Sequence, residues 1–274
     1  MLSQLPEPFQ SGFLTPLAQG HTNQVFRLTC QSHDYFLRIP SKNTNSLNIA
    51  RLDEQTILTL VAEHQLTPKI HYFDAAGILI QSWIEEAIWQ KADFYAPDKR
   101  EQLIKQIYSI HQLTPNVRRF DLATNLESWR ASVKCDDSEL KSVYRLLFKW
   151  LKTHENYSSV FCHNDLNPGN LLGAKPWIID WEYAAYHDPA FEFAVIAEYA
   201  GFSAQEISVW IDIYNAAGGC CDPSRMNAMR LYVCFLGYFW YMKQASLTGD
   251  EVMFQEADIF ACRIKKSMLL HALN

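Results

Sequence analysis

Residues 161–183 read FCHNDLNPGNLLGAKPWIIDWEY and gather His163, Asp165, Asn170 and Asp180 in one short span. Four residues separate Asp165 from Asn170, and Asp180 comes ten residues after Asn170. These residue types suit phosphoryl transfer. One carboxylate must stand by an attacking hydroxyl and accept its proton, while an amide oxygen and a second carboxylate hold Mg²⁺ against nucleotide phosphates. The local pattern can present them. Val160-Phe161-Cys162 is an apolar lead-in, a short strand or turn. Asn164, Asn167, Pro168 and Gly169 are turn formers. Leu171-Leu172 and Trp177-Ile178-Ile179 are apolar runs on either side of a turn at Gly173–Pro176, which makes a hairpin with acidic groups at both ends.

The protein-kinase pattern His-Arg-Asp-x4-Asn, then Asp-Phe-Gly, supplies the same parts. Here Asn164 stands for the Arg, and Asp180-Trp181-Glu182 stands for Asp-Phe-Gly. His-x-Asp-x4-Asn followed by Ile-Asp-Trp-Glu-Tyr resembles the aminoglycoside phosphotransferase and choline kinase superfamily. The Trp-Glu-Tyr tail is more similar to the choline, ethanolamine and thiamine kinase branches than to the antibiotic kinases. The resemblance spans nearly the whole chain and is sharp in this stretch. It implies a two-lobed, α+β, protein-kinase-like fold, with a nucleotide-binding lobe over residues 1–84 and a catalytic and substrate-binding lobe over residues 85–274. It also implies ATP and Mg²⁺ as cofactors. Asp165 is then the catalytic base, Asn170 and Asp180 are the metal ligands, and His163 holds the loop through backbone bonds. Glu182 lies near the alcohol site, assists the metal or makes a structural hydrogen bond.

The elements that must carry these residues are legible in outline. Phe13–Leu17, Gln24–Leu28 and Tyr35–Ile39 read as strands, the latter two by their alternation, with a turn at Gln31–Asp34. Between the first two lies Gln19-Gly20-His21-Thr22-Asn23, a plain hairpin turn by spacing alone. In the resembled family this loop covers the nucleotide phosphates, which assigns Gly20, Thr22 and Asn23 to the nucleotide. Gln19 takes a place where family members often have a second glycine. Arg38 ends the third strand in an Arg-Ile-Pro string similar to choline and thiamine kinases; its planar fork can hold phosphate oxygens and a carboxylate together. Glu54 is the partner expected for it, on a helix from about Leu47 to Glu63 with Ile49, Leu52, Ile57, Leu60 and Val61 toward a core. Lys69–Phe73 and Gly77–Ile80 are two more strands. Gln81 to Glu85 then falls where kinase-like folds link their lobes, so the backbones of Gln81 and Trp83 are assigned to adenine by position, with core packing the alternative for Trp83.

Beyond Glu85 the pattern turns helical: Pro97–Leu113, Leu140–Leu151, a helix from Asp188-Pro189 to Tyr199, then Ala204–Ala216, Asp222–Ala245 and Asp250–Leu270. Residues 114–138 are ambiguous, with one helix near Leu126–Val133. Aromatic faces with a nearby acid bind organic cations. Tyr183 and Trp240 are the aromatic residues assigned to the substrate, although core packing is the preferred reading of Trp240 from its place in a long apolar helix.

Composition narrows the classes. A formal net charge of −6 argues against general nucleic-acid binding, which needs a basic face. No run reaches the length of a membrane span, and the first ten residues lack the basic flank and apolar run of a targeting signal. Seven cysteines without a Cys-x-x-Cys pair read as reduced thiols in a cytoplasmic protein. The reading from sequence is therefore a kinase that transfers the ATP γ-phosphate to a small, cationic alcohol of the choline, ethanolamine or thiamine type. The alternatives are an aminoglycoside phosphotransferase and a non-catalytic kinase-like binding module, the latter motivated by Gln19 and Arg38.

Overall fold

The computed structural model describes residues 2–17, 23–40 and 51–270. They fall into two compact units. One is drawn from the residues up to Gln106, from Leu113–Arg118 and from Asp165–Ala184; the other from Ile107–Gln112, Arg119–Asn164 and Ala185 onward.

In the first unit, β1 (Phe13–Pro16), β2 (Asn23–Cys30), β3 (His33–Pro40), β4 (Ile70–Phe73) and β5 (Leu79–Ser82) form a sheet in the order β1-β2-β3-β5-β4. Every neighbouring pair is antiparallel. Gln31 and Ser32 join β2 to β3 with φ of 48° and 63°. Two left-handed residues in a two-residue connection make the turn whose twist matches the flanking strands. Leu5, Phe9, Leu28, Cys30, Leu37 and Ile80 bury one face of the sheet, and Tyr35 and Ile39 pack against them. Side chains alternate along a strand, so Arg38 points to the opposite face. There it meets α1 (Arg51–Glu63), whose Glu54, Ile57, Leu58 and Val61 are all buried. Those positions share one helical face. The expected start of this helix, residues 47–50, lies outside the described residues. The helix α2 (Pro97–His111) begins at the expected proline and ends two residues before Leu113.

The second unit holds most of the helices. The first, α3 (Leu122–Ala131), starts four residues earlier than the apolar pattern near Leu126 suggests, because Asp121 caps it by accepting from the Thr124 amide at 2.6 Å. Asp137 caps α4 (Ser138–Thr153) in the same way. Then come β6 (Val160–Cys162) and, back in the first unit, the small hairpin of β7 (Leu171–Leu172) and β8 (Trp177–Ile178). The strand β9 (Ala185–His187) pairs antiparallel with β6. It leads into α5 (Pro189–Ala200), α6 (Ala204–Ala216), α7 (Met226–Thr248) and α8 (Glu251–Leu270). Asp188 caps α5 ahead of Pro189, as its position before a first-turn proline suggests. Asp222, expected to begin a helix, instead caps a 3-10 turn at Pro223–Arg225, and α7 starts just after it. Gly237 lets α7 approach α8, since a Cβ there would stand 2.6 Å from the Phe260 ring. No helix among the described residues is long and apolar enough to cross a membrane, and all seven cysteines are free thiols.

Candidate active site

The loop after β6 is held from beneath. Glu192, fully buried on α5, accepts the backbone amide of His163 at 2.9 Å and that of Asn164 at 2.7 Å. Asn164 adopts φ of 69°, a conformation Asn tolerates better than most residues. Behind Glu192, His111 meets Tyr214 Oη at 2.6 Å and the Cys162 thiol at 3.6 Å. Burial lowers the His111 pKa to about 3 and raises that of Cys162. His111 is therefore a neutral hydrogen-bonding partner rather than an ion-pair partner for Glu192 at 4.0 Å. His163 is fully buried beside this network.

Asp165 follows. Asn167 caps the 3-10 turn Pro168–Asn170 by accepting the Gly169 amide, and its own amide donates to Asp165 Oδ1 at 3.0 Å. Asn170 Nδ2 donates to Asp165 Oδ2 and to the Asp165 carbonyl, both at 2.9 Å. That network orients the Asn170 amide, because its nitrogen faces two acceptors and its oxygen, a metal-type donor, faces away from them. Burial pushes the Asp165 pKa up to about 7, with the charge of Asp180 adding to it and the Asn167 and Asn170 hydrogen bonds opposing it. A carboxyl poised near neutrality is suited to proton transfer.

Asp180 ends the hairpin. The Ile179 amide donates to the Asn170 carbonyl at 3.0 Å, which ties the two expected metal ligands together through the backbone. Asp180 has φ of 63° and ψ of 64°, a left-handed conformation for a residue with a side chain. Strain of this kind collects where a side chain must be aimed. Its carboxylate is partly exposed and lies 3.3 Å from Arg38 Nη1.

Arg38 is the hub of this unit. It is 2% exposed, lies 2.5 Å from Glu54 through Nη2, and reaches Glu182 at 3.7 Å and the Gly77 carbonyl at 3.3 Å. Burial opposes its charge, yet Glu54, then Asp180 and Glu182, outweigh that and raise its pKa. The Arg38–Glu54 pair expected from sequence is thus present. Glu182 is 3% exposed, and its Oε2 also accepts from Asn23 Nδ2 at 3.3 Å. For Mg²⁺ the donor chemistry fits, since the Asn170 amide oxygen and the Asp180 carboxylate are hard oxygen ligands on one backbone-linked pair of elements.

Other expected residues fare differently. Gly20 and Thr22 lie outside the described residues. The Gln81 side chain is buried on Thr67 and the Pro68 carbonyl, with β5 flanked on both sides by strands. The Ser82 and Trp83 amides are already given to the Lys69 and Asp34 carbonyls. A base docking at this stretch must therefore use groups other than those two donors. The Trp83 ring is half-buried, with the Arg27 guanidinium 4.7 Å above it. Tyr183 is half-buried in the 3-10 turn Trp181–Tyr183. In the second unit, Trp240 is half-buried on α7, edge-on to Tyr241 at 4.9 Å. Glu192 was given no role in the sequence. Its signal was available as the one acid in the otherwise apolar run Pro189–Ala197, where an unpaired charge is costly.

Residues 14–232 match the family described as APH, phosphotransferase enzyme family. A protein LicA homolog from Mycoplasma capricolum subsp. capricolum is 23% identical over 247 residues, 88% of this chain and 94% of that protein. Among solved structures, choline kinase LicA from Streptococcus pneumoniae matches with a TM-score of 0.84 at 20% identity over 94% of each chain. LicA in complex with AMP matches with a TM-score of 0.81 at 19% identity, over 97% of this chain and 95% of that one. These likenesses establish the kinase-like α+β fold.

Proposed function

Because this chain belongs to the phosphotransferase enzyme family, we propose that it transfers the γ-phosphoryl group of ATP, with Mg²⁺, to the hydroxyl of a small cationic alcohol. The observation that carries this is Asp165, a carboxyl raised to about 7 and hydrogen-bonded to Asn170 and Asn167, with Asp180 close enough to act on its charge. In this reading the hydroxyl proton passes to Asp165 as the alcohol oxygen bonds to the γ-phosphorus, and the bond to the ADP oxygen breaks. Asn170 and Asp180 would hold Mg²⁺, which neutralises charge on the phosphates. Arg38, kept in place by Glu54, binds phosphate oxygens. Nucleotide binding is assigned to residues 1–84, with Gly20, Thr22, Asn23, Gln81 and Trp83 contributing. Residues 85–274 carry catalysis and the alcohol, with Tyr183 and Trp240 as proposed aromatic contacts. The protein is read as cytoplasmic.

Choline leads the alcohols because the similar Streptococcus pneumoniae structure is that of a choline kinase. Ethanolamine and thiamine share its chemistry, a hydroxyl on a short arm beside a cation. The test is Mg²⁺-dependent ADP release across choline, ethanolamine, thiamine and kanamycin. Turnover with one of the three small alcohols is the expected result. Turnover with kanamycin alone makes the chain an antibiotic kinase, and none with any acceptor makes it a binding module.

A further inference from the structure

Of the places the resemblance allows Glu182, one beside the alcohol would let its carboxylate meet the substrate's cation, and its surroundings do not fit that place. A carboxylate that recognises an alkylammonium must present an oxygen to it. This one is 3% exposed and turned to the protein, with Oε2 3.3 Å from Asn23 Nδ2 and 3.7 Å from Arg38 Nη1. Asn23 is itself buried and is the first residue of β2, and its link to Glu182 closes 159 residues of chain. Arg38 sits on β3 and is shared among Glu54, Asp180 and Glu182. One carboxylate therefore joins the start of β2, the Arg38 guanidinium and the turn that follows Asp180.

We propose that Glu182 is a positioning residue for the nucleotide, acting through Asn23 and Arg38, rather than the group that reads the alcohol's charge. This rests on the phosphotransferase reading above. Glu182 at 3.7 Å adds its charge to that of Asp180 at 3.3 Å on the Nη1 arm of the Arg38 fork, while Nη2 pairs with Glu54, and together they set the direction in which the remaining N–H group points. Through Asn23 it also fixes where the chain enters β2. Both effects bear on phosphate oxygens and neither bears on an ammonium group.

Binding of Mg-ADP, measured by calorimetry without any acceptor, tests this separately from turnover. Glu182→Gln keeps the size and an acceptor for Asn23 but loses the charge on Arg38. It is expected to weaken Mg-ADP about tenfold while the KM of the alcohol moves less than about twofold. Asn23→Ala removes one neutral-to-charged hydrogen bond and is expected to weaken Mg-ADP about threefold. Its effect should shrink in the double variant, since both act through one carboxylate. Unchanged Mg-ADP affinity in Glu182→Gln, with or without a lower melting temperature or a raised alcohol KM, overturns the proposal. If Glu182→Gln does not fold, Asn23→Ala decides, and unchanged Mg-ADP affinity there overturns it equally. Failure of the wild type to bind Mg-ADP is a distinct result that removes the nucleotide reading itself.

Discussion

Two buried arginines, one in each unit, show how differently the same ion-pair chemistry is used. Arg38 is 2% exposed and divides its fork among Glu54, Asp180 and Glu182. Arg225 is 7% exposed and is held by Asp188 at 2.5 Å, by the His154 carbonyl, and between the rings of Trp150 and Tyr157, each 4.9 Å away. Asp188 in turn caps α5. An arginine clamped between two rings and one acid has a single arrangement, so its energy goes into the fold. An arginine whose fork is divided among three acids, one of them partly exposed, ties α1 to the turn after Asp180 and keeps its charge beside the groups proposed to hold the phosphates.

The contrast can be broken most forcefully at Arg225. Arg225→Met leaves Asp188 buried without its cation and should cost about 3–5 kcal/mol in urea unfolding. The folded fraction should keep its turnover; loss of turnover at normal stability would mean that the two arginines are not divided in this way. Next in size is Asp165→Asn, which should lower turnover at least about a hundredfold, measured as ADP release. Its stability should move the other way. The folded pKa of Asp165, about 7, lies above the ordinary 3.8, so the fold holds that proton and loses stability as pH rises from the lower value through the higher. Asp165→Asn, without that titration, should melt above wild type at about pH 8 in EDTA and match it at about pH 4. Equal melting at both would show that Asp165 is not desolvated. The smallest effect is expected of Arg38→Lys. A point charge replaces a fork, and Mg-ATP affinity should fall about tenfold with less loss of stability than Arg225→Met. A variant that binds Mg-ATP as wild type does would show that one of the fork's arms suffices.

Much of the Asp165 region was readable because its logic is local. The Asp165, Asn170 and Asp180 spacing lies in one segment, whereas the Arg38–Glu54 pair was implied by the family resemblance, which joins a strand-end cation to an acid on the next helix. Glu182 was not readable in the same way, because the residue it bonds lies 159 positions away and a sequence pattern carries no such distance. The pairing of β6 with β9 escaped for a similar reason, since a three-residue strand has too little alternation to mark its partner. The start of α3 was misplaced because apolar spacing near Leu126 outweighed a single capping residue, Asp121. At Gln81–Glu85 the amides of Ser82 and Trp83 bond the Lys69 and Asp34 carbonyls, which no side-chain pattern announces.

The clamp by Glu192 has a consequence for how this molecule comes apart. The His163 and Asn164 amides are bonded to a fully buried side chain on α5. Their hydrogens can exchange with solvent only when α5 itself lets go. A loop of this kind, rich in turn formers, would otherwise be among the first segments to fray and the quickest to exchange. Here its opening is bound to that of a core helix, so the stretch leading into Asp165 belongs to the slow-opening part of the chain, and thermal loss of its geometry coincides with collapse of the helix beneath it.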